Sequence, residues 1–405
     1  GVGAIVRKVG YAAVLVAVGS IGMFAQAPAG TPAGQMPAAQ PPAGRGGGRG
    51  GPPLVSPEVS DKSFTVRFRA PEAKEVIVIG EIDGKEHPMT KGENGIWSAT
   101  IGPLAADIYN YQFRVDGIVT MDPANPSVKL GFGAFPPASM VEIAGDEFDD
   151  ATDVPHGSVR METYHSKTLG VARTVWVYTP PGYERGTTRY PVFYLLHGSG
   201  NIDSSWMLTG RANYILDNLI AAGKVKPMIV INPLGYARQG IGTGPERPVT
   251  AAAAPAGPAG QIGGGQFGKD LLDDVIPFTE KTFRTLPGAD NRAIGGLSMG
   301  GGQTAAIAFA NPDKFRYVVI MSAGANNADT NYPEFFKDSA AANKKFKLLW
   351  MGIGKDDNLV GPSARALDET LTKHNIKHTF AVGDGRHEWV VWRHHLRDVA
   401  PLLFK

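Results

Sequence analysis

The apolar positions of this chain change their pattern three times. Residues 1–53 hold one mainly apolar run near the start and no period afterwards. Between residues 54 and 145, apolar and polar positions alternate in short runs, "FTVRFRA", "EVIVIGEI", "GIWSATI" and "YNYQFRV", bounded by Gly, Pro, Asn or Asp. A period of two puts alternate side chains on one face, so these runs predict strands and, together, a small all-β immunoglobulin-like sandwich. Tyr109, Tyr111, Phe113 and Val115 share one such face. A row of this kind either fills the sandwich core or stacks on sugar rings, and core is the commoner use.

After a short linker at 146–158 the pattern changes again. Apolar runs that read as strands ("RTVWVYTPP", "YPVFYLLHG", "PMIVINPLG", "RAIGGLS", "RYVVIMSA", "FKLLWMGIG", "HTFAVGDG") alternate with stretches of helical period. The helical stretches include "ANYILDNLIAAG", "GKDLLDDVIPFTEKTF" and "SARALDETLTKH". Strands alternating with helices predict a mostly parallel α/β sheet over residues 159–405. The Gly/Ala/Pro-rich insertion from Arg238 to Gln266 interrupts this order, and a connection of that length is either functional or without fixed structure.

Composition narrows the possibilities. The chain has 405 residues, is 43% hydrophobic and 19% charged, and carries a net charge of +2. That is enough chain for two folded domains and too little charge to draw in nucleic acid or an anionic membrane. There is no cysteine, which excludes disulfides, thiol catalysis and thiolate metal sites. Arg7 and Lys8, the apolar run Val9–Phe24 and then Ala25-Gln26-Ala27 follow the order of a secretory signal peptide over residues 1–27. Residues 28–53, nearly all Ala, Pro, Gly and Gln, cannot bury a core and read as a tether. A secreted or periplasmic location, with no stable membrane association after signal removal, is the resulting expectation.

The candidate chemistry begins at "GGLSMGG", where a strand becomes a helix. A serine on such a turn is a nucleophile elbow if the rest of the chain supplies a base, an acid and an oxyanion hole. Of nine histidines, His387 in "GDGRHEWVVWRHHL" follows the last strand and falls on the same sheet edge as Ser298. The acid is expected between them, after a strand, and "GIGKDDNLVG" offers Asp356 and Asp357. Oxyanion donors are expected at Met299, directly after the serine, and at the end of an early strand in "LLHGSG", at Ser199 with Gly198 as the next choice. Trp206, Trp389 and Trp392 are candidates to line an acyl pocket. No metal or organic cofactor is implied.

Two resemblances add to this. The segments "SPEVSDKSFTVRFRAPEAKEVIV", "MTKGENGIWSATIGPL" and "YNYQFRVDGIVTMDPANP" resemble carbohydrate-binding module family 48. Nearly all of 159–405 resembles carbohydrate esterase family 1, the feruloyl and acetyl-xylan esterases, with kinship to enterochelin esterases. The matching segments include "YPVFYLLHGSG", "NRAIGGLSMGGGQTAAIAFANPDKF", "WMGIGKDDNL" and "GRHEWVVWRHHL". This resemblance implies an α/β-hydrolase fold and selects Asp357 over Asp356. It also implies feruloyl or acetyl esters on plant polysaccharide as substrate. Rival expectations are a siderophore or other small-ester esterase, a non-catalytic glycan-binding protein, and an acyltransferase. Because every candidate catalytic residue lies after 158, residues 28–145 are expected to be dispensable for turnover of small esters.

Overall fold

The computed structural model describes residues 53–133, 135–145, 148–237 and 264–405. The N-terminal apolar run, the tether and almost all of the 238–266 insertion therefore lie outside the described residues.

The alternating runs fold into two antiparallel sheets. One carries Glu58–Ser60, Ser63–Arg69, Ile96–Ile101 and Thr90–Lys91 in that order. The other runs His87–Pro88, Val76–Glu81, Asp107–Val115, Ala138–Ile143 and Val128–Lys129, with Ile118–Thr120 paired to Asp107–Val115. Their facing sides enclose Phe64, Val66, Val78, Trp97, Tyr111 and Phe113. Tyr109, Tyr111 and Phe113 are buried, with Phe113 against Phe68 at a ring separation of 4.8 Å. That aromatic row is core. The strand Ala138–Ile143, which no alternating run had marked, adds Val141 and Ile143 to it.

Residues 158–405 build one eight-stranded sheet. In spatial order its strands are Ser158–Ser166, Val171–Thr179, Ile229–Pro233, Val192–Leu196, Arg292–Leu297, Tyr317–Met321, Leu348–Gly354 and Thr379–Gly383. The first two are antiparallel and the last six parallel. The five inner parallel strands are buried on both faces, which is why their sequences are nearly continuous apolar runs, whereas the edge strand Thr379–Gly383 is partly exposed. Helices cover both faces, with one apolar cluster around Phe309 and a second around Trp206 and Trp389. This is the α/β-hydrolase architecture preceded by a small sandwich.

The stretch read as one amphipathic helix departs from regularity. Its turns are α-helical at Gly265–Asp270 and Ile276–Thr282 but widen to a π-helix at Leu271–Val275. Pro277 stands just after the widened turn and has no N–H to return to an α-helical acceptor, which relaxes the spacing there.

Sandwich and sheet belong to the same compact unit, residues 53–405. The C-terminal helix Trp389–Val399 joins them. Its Arg393 is fully buried, donates from Nε to Asp107 at 3.0 Å and from Nη1 to the Thr209 carbonyl at 3.0 Å. His394 Nε2 lies 2.9 Å from the other Asp107 oxygen. At the helix start, the Trp389 N–H donates to Glu81 of the sandwich at 3.2 Å.

Candidate active site

The strand Arg292–Leu297 runs straight into the helix Met299–Ala310, and Ser298 is the single residue between them. Its backbone sits at φ 51°, ψ −115°, a conformation that costs a non-glycine residue about 1–3 kcal/mol and throws the side chain out of the turn. The turn closes only because the residues around it are small. A Cβ on Gly300 would fall 2.5 Å from the His197 carbonyl oxygen. Beside it, a Cβ on Gly198 would fall 2.4 Å from Leu297 Cδ1 and 3.4 Å from Ser298 Cβ, so the "HGSG" loop abuts the serine.

Two further strand ends complete the group. His387 Nε2 lies 2.9 Å from Ser298 Oγ, and His387 Nδ1 lies 2.8 Å from Asp357 Oδ2. A carboxylate only accepts, so Nδ1 carries the proton and Nε2 is left to receive the serine's. Asp357 is buried and follows the strand Leu348–Gly354. Burial alone would raise its pKa, but the hydrogen bond and charge of His387, the Val360 N–H at 3.1 Å and the nearby Ser322 hydroxyl hold it below the ordinary value. It stays ionised. Asp356, its neighbour, is exposed and uses its N–H on the Gly385 carbonyl. Among the described residues no group of three or more His, Asp or Glu could hold a metal.

Met299 opens its helix, where the first-turn N–H groups have no intrahelical acceptor. Ser199 is exposed on the loop after Val192–Leu196. Its amide direction is set by the residue two positions before it. His197 is buried, donates from Nδ1 to the Gly198 carbonyl at 2.8 Å and accepts the Gly235 N–H on Nε2 at 2.9 Å. Burial pushes its pKa down to about 4, so it is neutral and keeps that tautomer. With the Gly198 carbonyl turned back onto His197, the trans peptide points the Ser199 N–H the opposite way.

The tryptophans behave differently from expectation. Trp206 and Trp389 are fully buried, cross edge to face at 5.3 Å, and belong to the core. Trp206 spends its indole N–H on the Leu196 carbonyl at 2.9 Å, at the strand end that leads into the "HGSG" loop. Neither lines an acyl pocket, a correction explained by the apolar layer that packs between sheet and C-terminal helix. Trp392 is buried too, but its ring stands edge to face with His387 at 5.1 Å.

The profile of the family described as "Putative esterase" matches residues 166–403. The chain belongs to this esterase family. A second profile, carbohydrate-binding module 48 (isoamylase N-terminal domain), matches residues 55–124 of the esterase. Over 361 residues the esterase is 34% identical to a protein named endo-1,4-beta-xylanase/feruloyl esterase from Xylanibacter ruminicola. That match takes in 86% of the esterase and 46% of the relative, so the chain spans about half that relative's length. Among solved structures it is similar to a ferulic acid esterase from Anaeromyces mucronatus (TM-score 0.53, 22% identity, 64% of this chain and 96% of that one). It is also similar to the enterobactin esterase of Shigella flexneri (TM-score 0.60, 16% identity, 86% and 95%). At these identities the two structures share the fold.

Several residues of the esterase site had no sequence motif to reveal them. Tyr236 accepts the Gly200 N–H on its hydroxyl at 2.6 Å and so braces the "HGSG" loop. Arg173, fully buried, donates to the Tyr236 carbonyl at 2.8 Å. Glu81 holds the start of the helix that follows His387, which ties the sandwich to the segment that carries this histidine. His197 ends a fully apolar run, but nothing in the sequence pointed to its two partners.

Proposed function

We propose that the protein is an exported serine esterase that hydrolyses carboxylic esters on plant cell-wall polysaccharide, feruloyl esters foremost. The observation that carries this reading is the relay of Ser298, His387 and Asp357 at 2.9 and 2.8 Å on a strained strand-to-helix turn. Ser298 Oγ attacks the ester carbonyl while His387 Nε2 takes its proton. The oxyanion that forms lies against the N–H groups of Ser199 and Met299, with Gly198 the second choice on the loop. His387 returns the proton to the departing alcohol, and Asp357 keeps the imidazole in the tautomer that allows both transfers. Water enters by the same steps and frees the acid. This mechanism calls on no metal or organic cofactor.

The choice of ester is supported by the name of the Xylanibacter ruminicola relative and by the sandwich, whose profile is that of a carbohydrate-binding module. Export is supported by the charged, apolar and small-residue order of residues 1–27. Among the described residues no helix is long and apolar enough to cross a membrane. The likeness to enterobactin esterase is one of fold and does not carry a siderophore substrate.

The test is hydrolysis of methyl ferulate, an aryl acetate, acetylated xylan and a catecholate triester by the wild type and by Ser298→Ala. Preference for methyl ferulate, with Ser298→Ala below about a thousandth of the wild-type rate, is expected. A wild type active only on the triester, or an active Ser298→Ala variant, sinks this reading.

A further inference from the structure

Resting on the esterase reading above, we propose that a cleft shared by the sandwich and the His387 loop is the leaving-group subsite. It would take the hydroxyl-rich sugar of a glycosyl ester, with Lys85 of the sandwich as its specificity residue.

The cleft has a volume of about 360 Å³ and is lined by Glu81, Gly84, Lys85, Arg386, His387 and Glu388, among others. That volume lies within the range of small-ligand sites. Its place follows from where the proton must go. The oxyanion points at Ser199 and Met299, whereas the departing oxygen must lie within reach of His387 Nε2 to be protonated. The rest of the alcohol therefore leaves on the His387 side, and His387 lines this cleft. The opposite assignment, an aromatic acyl group in the cleft, fits its walls poorly. Aromatic groups are taken up by mainly apolar walls, and this cleft is lined largely by charged side chains and glycines.

The position of the sandwich loop is fixed against the His387 loop. The Arg386 guanidinium lies over Gly84, where a Cβ would fall 1.7 Å from Nη1, and Gly84 itself sits at φ +82°. Glycine at 84 thus lets the two loops meet and form one wall.

The charged groups of that wall are mostly committed. Glu81 accepts from Asn110 at 2.7 Å and from Trp389 N–H at 3.2 Å. Arg386 donates to Glu388 at 2.9 Å, and Glu86 is paired with Arg114. Lys85 is exposed and its charge acts on the neighbouring Asp83 carboxylate, but among the described residues its ammonium makes no direct hydrogen bond or ion pair. It is a cation with three donors at a cleft beside His387 whose wall is about half polar and half apolar, which suits the hydroxyl edges and apolar faces of a sugar ring.

The test uses the full chain and two feruloyl esters that differ only in alcohol, methyl ferulate and a feruloylated pentose oligosaccharide. The quantity read is the ratio of kcat/KM for the glycosyl ester to that for the methyl ester. Lys85→Ala and Lys85→Glu should each lower that ratio about fivefold, and Lys85→Arg should restore most of it. A ratio within about twofold of wild type in both variants overturns the subsite, as does a wild type that prefers the methyl ester. A wild type that hydrolyses neither ester overturns the esterase reading instead.

Discussion

In the sandwich, the residues other than glycine that adopt positive φ are Asp61, Asn94 and Asp116. These are turn residues of the types that tolerate the left-handed region. Among the described residues of the sheet domain the same region holds Arg211, Asn327, Asn375 and Phe404 and, at φ 51° and 44°, Ser298 and Ser322, the last two each directly after a buried parallel strand. One bonds His387 and the other lies beside Asp357. Buried polar atoms without a partner are distributed the same way. The sandwich has Asn110 Oδ1, while the sheet domain has atoms of Asn201, Asn232, Gln303 and both ring nitrogens of His395, among others. One region has settled its local costs. The other places two of its left-handed residues, Ser298 and Ser322, at the ends of neighbouring strands beside His387 and Asp357, the kind of local strain that functional sites retain.

The sharpest way to break that contrast is to change the relay without changing its packing. Asp357→Asn keeps the shape but offers Nδ1 an amide that can hold the wrong tautomer. Turnover should fall about 10³–10⁴-fold, while Asp356→Asn, at an exposed position, should stay near wild type. Both are read as kcat on methyl ferulate at neutral pH. If the two variants lose activity equally, the relay is not the unit that the geometry describes.

The contrast also explains what could be read from the chain before folding. Sandwich strands are written in local alternation, and the run "GGLSMGG" marks the elbow by small residues that the close approach of Gly300 to His197 demands. Asp357 and His387 follow their strands in chain order, so topology alone brings them to one edge. Glu81, Asp107 and Tyr236 left no such trace. Arg393 and Asp107 lie 286 residues apart, and nothing local distinguishes a buried ion pair from two surface charges. Trp206 and Trp389 misled for the same reason, because an aromatic residue near a motif reads alike in a pocket and in a core.

That long-range layer makes the second prediction, aimed at the join between the regions. Burial alone would raise the Asp107 pKa, yet Arg393, His394 and the Ile108 N–H hold it below the ordinary value. Asp107→Asn leaves Arg393 buried without its nearest carboxylate and should cost about 3 kcal/mol in urea unfolding. Glu86→Gln, which breaks the exposed pair with Arg114, should cost less than about 1 kcal/mol. Deleting residues 28–145 removes Glu81 and Asp107 together, so turnover of methyl ferulate should be lost. A truncated chain that stays folded and fully active would restore the clean division expected from chain order.

The smallest expected effect concerns pH and the acid that stands second to Asp107. Asp149 is buried, lies 3.4 Å from Arg393 Nε, and its Oδ2 has no hydrogen-bond partner. Burial raises its pKa to about 6; Arg393 offsets part of this and the nearby Asp107 charge adds to it. Asp107 has taken the better seat on the guanidinium. A carboxyl raised above its unfolded value of 3.8 is favoured by folding in the neutral form. Its contribution is present below 3.8 and is lost as pH rises through about 6. Asp107 has the opposite sign, and its contribution fails only as pH falls below the ordinary carboxylate value. The two windows do not overlap, so one pH series separates them. Asp149→Asn keeps the neutral shape at every pH. Relative to wild type it should gain about 2–3 kcal/mol between pH 4 and pH 7, roughly 1.4 kcal/mol for each pKa unit between 3.8 and about 6, a shift that already includes the Arg393 attraction. Thermal unfolding at half-unit steps reads this as a flatter profile across that interval. If the variant follows wild type through pH 4–7, Arg393 serves both carboxylates equally and the join is a shared ion cluster.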